Sequence, residues 1–170
     1  LRSNGGDGGF IELRGGEALG RGAADDGGNI EVYGGYSKDG RGGSFIMTSG
    51  YGGASSSGVV SIATANAGRK GVSGFIDVRT GTTSVGSSGH FKVDTGTATN
   101  GKGGYIDITV GSGDSGAGGY IGVRAGNTTD ERTGGFVTLT SGFSSTRTSG
   151  GISLNTANAG ASGVSGAMLL

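Results

Sequence analysis

The presence of a single histidine, His90, and the absence of cysteine limit the chemistry that this chain can perform. A Ser-His-Asp relay needs a histidine held between a carboxylate and a nucleophile, and a zinc centre needs several nitrogen or sulfur ligands. One imidazole supplies no histidine cluster, and a chain without cysteine forms no disulfide and no thiolate site. We therefore predict no catalytic residue, no bound metal and no cofactor.

Three glycine-rich segments approach known loop motifs, and each lacks an essential part. Segment 111–116 has the spacing GxGxxG, but another apolar strand pattern follows where a dinucleotide site needs a helix. Segment 96–102 is close to a phosphate loop, with Gly103 in place of the magnesium-binding hydroxyl residue. Segment 5–9 approaches a calcium nonapeptide, but Phe10 occupies the aspartate position. We interpret all three as chance matches in a chain with 44 glycines among 170 residues.

A second group of candidates consists of hydroxyl or amide residues at alternate positions. On a strand these pairs would share one outward face, and we predict a ladder formed by Thr82, Ser84, Thr97, Thr99, Asn127 and Thr129. A flat Thr-x-Thr ladder on a β-solenoid resembles ice-binding proteins, although Asp114 and Phe143 interrupt it. The alternative is that small polar residues fill solvated corners. Asn127 also begins an N-glycosylation sequon, Asn-Thr-Thr.

A repeat of 15 or 16 residues, with one longer first interval, must position all of these residues. It is marked by a glycine that opens an apolar hexapeptide, at Gly9, Gly28, Gly43, Gly58, Gly74, Gly89, Gly104, Gly119, Gly135, Gly150 and Gly166. With this glycine counted as position zero, positions two and four are apolar in every repeat. Position six is small, and position seven is almost always glycine.

This spacing predicts strands, because apolar residues two apart share one face of an extended chain. The glycines at both ends of the hexapeptide predict turns with positive φ. A unit of this length cannot bury its face alone, so the units are expected to stack. We predict an all-β fold, a β-solenoid (parallel β-helix) of ten to eleven coils, with either handedness.

The domain prediction is a single repeat domain over residues 1–170, as a fragment of a longer array or filament. Residues 1–8 are expected to form a partial coil, residues 9–165 ten coils, and residues 166–170 a second partial coil. The two open ends would then be unpaired sheet edges, which favours end-to-end stacking.

The sequence also has a second, longer repeat that spans six of the predicted coils. The sequence Thr-Ala-Asn-Ala-Gly at 64–68 recurs at 156–160, an offset of 92 residues, and Gly-Val-Ser-Gly follows each copy. The TANAGxxGVSG element, with its SG-apolar-x-apolar-x-TG coils, resembles the Gly/Ser/Thr-rich repeat proteins of diatoms and related algae. The resemblance implies a secreted or surface-exposed protein and specifies no activity.

Position one, on the outward face, carries a predicted column of aromatic residues. It runs through Phe75, His90, Tyr105, Tyr120 and Phe136. Contiguous exposed apolar surface marks contacts with partners, so we predict an assembly interface; the alternative is a ladder that stiffens the sheet. Arg79 and Asp94, on adjacent coils, predict a cross-strand charge pair.

Together these features predict a structural, extracellular or cell-surface repeat protein that is not an enzyme. It would form a filament, hair or surface layer through lateral aromatic contacts and end-to-end stacking, with itself, related repeat chains or glycans as partners. The alternatives are an ice-binding solenoid and an adhesive or carbohydrate-binding stalk. The 13 basic and 13 acidic residues balance, which gives no general attraction to nucleic acid. No apolar run approaches the roughly 20 residues that span a bilayer.

Overall fold

The computed structural model describes residue 6, residues 8–22 and residues 24–169. Within these ranges no residue belongs to a helix or a β-strand, so the predicted all-β solenoid is wrong. Residues 1–5 and Leu170, which fall in the two predicted partial coils, lie outside the described residues.

The chain divides into two units, Leu1–Phe91 and Lys92–Leu170. Every contact discussed below joins residues of the same unit. Both units are built from the same local pattern, a hexapeptide (positions one to six) followed by a loop that returns to the next opening glycine.

Backbone hydrogen bonds explain why no sheet forms. In a solenoid they would join equivalent positions one repeat apart, but all those found among the described residues lie within the loops. At five junctions the amide of the opening glycine donates to the carbonyl at position seven of the preceding repeat. These bonds join Gly28 to Gly16 and Gly43 to Gly35 (2.8 Å), Gly58 to Gly50 and Gly150 to Gly142 (2.9 Å), and Gly135 to Gly126 (3.0 Å). At these five junctions the loop therefore closes on itself, and among the described residues no backbone hydrogen bond joins neighbouring hexapeptides.

Loop closure also explains the residue types at positions zero and six. A Cβ on Gly104 would lie 3.2 Å from Thr95 Cγ2, and a Cβ on Gly119 would lie 2.7 Å from Val110 Cγ1. In the first two repeats position six is itself glycine, and a Cβ on Gly34 would collide with the carbonyl oxygen of Gly43. Close approach to the preceding repeat thus requires a glycine at junctions such as Gly119, whereas a Cβ on Gly89 or Gly150 would make ordinary contacts at 3.7 and 3.5 Å.

Positive φ angles occur elsewhere than the sequence predicts. Gly86 and Gly116 have φ values of 109° and 78°, and Asn100 has a φ of 58°. All three lie inside loops, and among the described residues no glycine at position zero or seven adopts positive φ. The prediction of positive φ at these glycines is therefore wrong. The opening glycines lie close to the preceding repeat, but they do not adopt the left-handed backbone conformation that glycine permits.

Every repeat from Gly28 to Gly150 bends at the same place, ten or eleven residues after its opening glycine. The bends are at 38–40, 53–55, 69–70, 84–86, 99–101, 114–117, 129–132, 145–147 and 161–163. Hydroxyls at position nine support four of them. Ser37 Oγ accepts from the Gly40 amide at 2.9 Å, and Ser144 Oγ accepts from the Arg147 amide at 3.0 Å. Thr128 Oγ1 accepts from the Asp130 amide at 3.2 Å, and Thr83 Oγ1 donates to the Val85 carbonyl at 3.0 Å.

The side chains of the hexapeptides alternate in exposure as those of an extended chain do. Phe45, Ile46 and Met47 are 62, 83 and 58% exposed, so the first and third are better covered than the residue between them. From Ile30 onward the position-two residues are about half exposed, whereas the apolar residues at position one are almost fully exposed. The pleated alternation is present without a sheet.

No hydrophobic core forms within the described ranges. No apolar side chain there is buried, and the chain exposes 17764 Å². A compact protein of 16.3 kDa would expose about 7,500 Å². A single copy therefore gains little hydrophobic stabilisation to offset the conformational entropy of its ordered loops.

We predict that Gly34→Ala opens the loop at residues 36–42, because the added Cβ collides with the Gly43 carbonyl oxygen. The Gly43 amide then loses its bond to the Gly35 carbonyl, and its hydrogen exchange accelerates about fivefold, as expected from a net loss of about 1 kcal/mol. The control is Gly35→Ala, whose Cβ meets nothing within 4 Å. Equal exchange rates in the two variants would contradict this account of closure.

Candidate functional site

The predicted aromatic interface is exposed throughout. Phe75, Tyr105, Tyr120 and Phe136 are 87 to 88% exposed, and His90 is also exposed. The spacing expected from stacked strands does not apply, because no described residue lies in a strand. What the structure retains is a large apolar ring at position one of several repeats, available to a partner.

Side chains at positions three and five contact each other within the same hexapeptide. Six repeats show such a pair: Glu12 with Arg14, Glu31 with Tyr33 (2.9 Å), Asp77 with Arg79 (3.1 Å), Lys92 with Asp94 (3.0 Å), Asp107 with Thr109 (2.9 Å) and Ser153 with Asn155 (2.8 Å). Residues two apart on an extended chain point to the same side. Positions one, three and five thus share one face of the hexapeptide, on which the position-one side chain, often an aromatic ring, stands beside the pair at positions three and five, opposite the apolar positions two and four.

This pairing corrects the predicted charge ladder. Arg79 pairs with Asp77 of its own hexapeptide rather than with Asp94, and Asp94 pairs with Lys92. A pair between adjacent repeats needs strands side by side, which the described chain lacks. Exposed ion pairs of this kind contribute about 0–1 kcal/mol, so they order side chains locally without holding the fold together.

Among the repeats without such a pair, the one opened by Gly119 has a notch on this face. In the repeat opened by Gly119, position three is Gly122, so no side chain separates Tyr120 from Arg124. These three residues line an open notch of about 410 Å³. The ring of Tyr120 leans over the glycine, with Cε2 3.4 Å from where a Cβ of Gly122 would be. The sequence did carry a signal for this site, the glycine at position three between an aromatic residue and an arginine.

The six residues of the predicted hydroxyl ladder are all exposed, on the loops. The second member of each pair begins a bend: Ser84 at 84–86, Thr99 at 99–101 and Thr129 at 129–132. The first members, Thr82, Thr97 and Asn127, precede the bends, and Thr82 lines a shallow groove with Arg79, Thr80 and Gly81. The flat strand assumed for this ladder is thus absent from the described part of the chain.

Acidic and histidine side chains do not cluster within the described ranges. Among the residues that the structure describes, no three His, Cys, Asp or Glu side chains lie close enough to hold a metal ion. In the same part of the chain, no helix has the length and apolar character needed to cross a membrane.

No family model, curated protein or solved structure matches this chain. The resemblance to algal repeat proteins therefore stays a prediction.

The sequon at Asn127 yields a direct prediction. Asn127 is exposed and precedes a bend, so we expect it to be glycosylated when the chain passes through a eukaryotic secretory pathway. Mass spectrometry before and after glycosidase treatment should show a glycan that Asn127→Gln abolishes. Asn158→Gln is the matched control, because Asn158 has the same repeat position without a sequon. An unmodified Asn127 peptide in the secreted protein would contradict the prediction.

Proposed function

We propose that this chain is a structural, non-catalytic repeat protein whose copies associate laterally into a filament or surface layer. The observation that carries the proposal is the absence of any buried apolar side chain among the described residues. The exposed surface exceeds that of a compact protein of this mass by about 10,000 Å². A standard interface covers only about 800 Å² per partner, so a single dimer contact would leave most of this surface in water.

The repeat supplies the same adhesive surface many times. From Ile30 onward, positions two and four present apolar side chains that are half to about 70% exposed at intervals of 15 or 16 residues, and position one adds aromatic rings. An aromatic side chain buries about 150–250 Å² when covered. The net charge of zero does not oppose association of like chains. Repeated contacts of this kind favour an extended assembly over a closed dimer.

Lateral side-chain contacts are the part of the predicted assembly that we retain. End-to-end stacking depended on open sheet edges, and the described residues form no sheet. A location outside the cell belongs to the same proposal and is supported by the resemblance to secreted repeat proteins and by the exposed sequon at Asn127. Ice binding and an adhesive stalk are the alternatives. The bends that begin at the second residue of each hydroxyl pair replace the flat strand on which the ice-binding interpretation depended.

The test compares two phenylalanines of one repeat that are equally exposed. Phe136 occupies position one and is 88% exposed, whereas Phe143 lies in the following loop and is 89% exposed. We expect Phe136→Ser to raise the critical concentration for assembly about thirtyfold, because covering a phenylalanine contributes about 2 kcal/mol. Phe143→Ser should leave it within about twofold.

Sedimentation velocity would measure the critical concentration, and electron microscopy would show the assemblies. Equal shifts in the two variants would contradict a role for position one. A wild-type chain that stays monomeric at all accessible concentrations would contradict the proposed function itself.

A further inference from the structure

Arginine occupies position five in three repeats, and only two of the three have a partner on the same face. Arg14 pairs with Glu12, and Arg79 pairs with Asp77. Arg124 instead lies two residues from Gly122, and no ion pair among the described residues includes it. Arg124 is thus the position-five cation whose own hexapeptide supplies no counter-ion at position three.

We propose that the notch formed by Tyr120, Gly122 and Arg124 binds an acidic saccharide, with a uronate unit as the group recognised. A guanidinium binds a carboxylate through two parallel hydrogen bonds, which a single point charge cannot reproduce. The carboxylate of the sugar takes the place that Asp77 has beside Arg79. The apolar C–H face of the pyranose ring packs against the ring of Tyr120, as aromatic side chains do in ligand sites.

The dimensions of the notch suit a sugar better than a small inorganic anion. Four residues of extended chain separate the Cα atoms of Tyr120 and Arg124 by about 13 Å, a span that accommodates one to two pyranose rings. Glycine at position three leaves no side chain between the Tyr120 ring, which leans over it, and the Arg124 guanidinium, so one ligand can contact both. The whole notch has a volume of about 410 Å³. A small inorganic anion would contact only the guanidinium and would leave the Tyr120 ring without a contact.

This inference does not depend on self-association. The site is contained in five consecutive residues of one unit, and Arg124→Gln, Gly122→Asp and Asp77→Gly test it without changing any position-one ring. Failure of the assembly test and failure of the saccharide test are therefore separate outcomes.

The experiment titrates the full chain with trigalacturonate and with its neutral methyl ester, followed by calorimetry and by NMR shifts of the Gly122 amide. We expect one site per chain and at least tenfold weaker binding of the ester. Arg124→Gln and Tyr120→Ser should each weaken binding at least tenfold. Gly122→Asp, which supplies the missing counter-ion and fills the notch, should abolish it. Arg79→Gln is the control at the same repeat position and should have no effect.

A second variant is designed to create a new site of the same kind. Asp77→Gly removes the partner of Arg79 and places a glycine between Phe75 and Arg79, which reproduces the pattern of the notch. We expect the stoichiometry to rise from one to two. Unchanged stoichiometry, undiminished binding by Gly122→Asp, or equal affinity for the methyl ester would overturn the proposal. Equal binding of an acidic tripeptide would also overturn it, in favour of a site for protein carboxylates.

Discussion

Closure of each loop against the end of the preceding hexapeptide is the contact on which the rest of the structure depends. It brings the opening glycine close to the residue at position six, and at the tightest junctions this leaves no room for a Cβ at position zero. Val110 is the largest residue at position six and gives the tightest approach, 2.7 Å to a Cβ placed on Gly119. Thr95 shows the favourable case, in which its hydroxyl also donates to the Gly104 carbonyl at 3.5 Å.

This contact does not supply the backbone pairing that would turn the alternating pattern into a sheet. A solenoid needs backbone bonds between residues one repeat apart, whereas closure joins Gly50 to Gly58 and Gly126 to Gly135, which are eight and nine residues apart. The period of two predicts which side chains share a face, and the exposures of Phe45, Ile46 and Met47 agree with it. The two-residue period does not determine which other segment, if any, forms backbone hydrogen bonds with a given hexapeptide. That choice depends on loop geometry, which the glycine-rich spacing leaves open.

Contacts at positions three and five could be predicted from the sequence only where both residues belong to the same hexapeptide. Asp77 and Arg79 pair two residues apart, a contact that the sequence and the geometry of an extended chain are sufficient to predict. The pairing of Arg79 with Asp94 required knowledge of neighbouring strands and was wrong. Gly122 was overlooked because glycine is common in this chain, although at position three it has a specific consequence, since it leaves Arg124 without a counter-ion.

Local pairing also bears on how such a chain can be extended. In the hexapeptides that carry opposite charges at positions three and five, each charge is balanced within its own repeat, as in Lys92 with Asp94. Loop closure likewise involves only one junction at a time, as at Gly43 and Gly35. Adding or removing such a repeat therefore changes neither the contacts nor the charge balance of its neighbours. An array built this way gains adhesive apolar surface in proportion to its length, which is the property that a laterally associating structural protein requires.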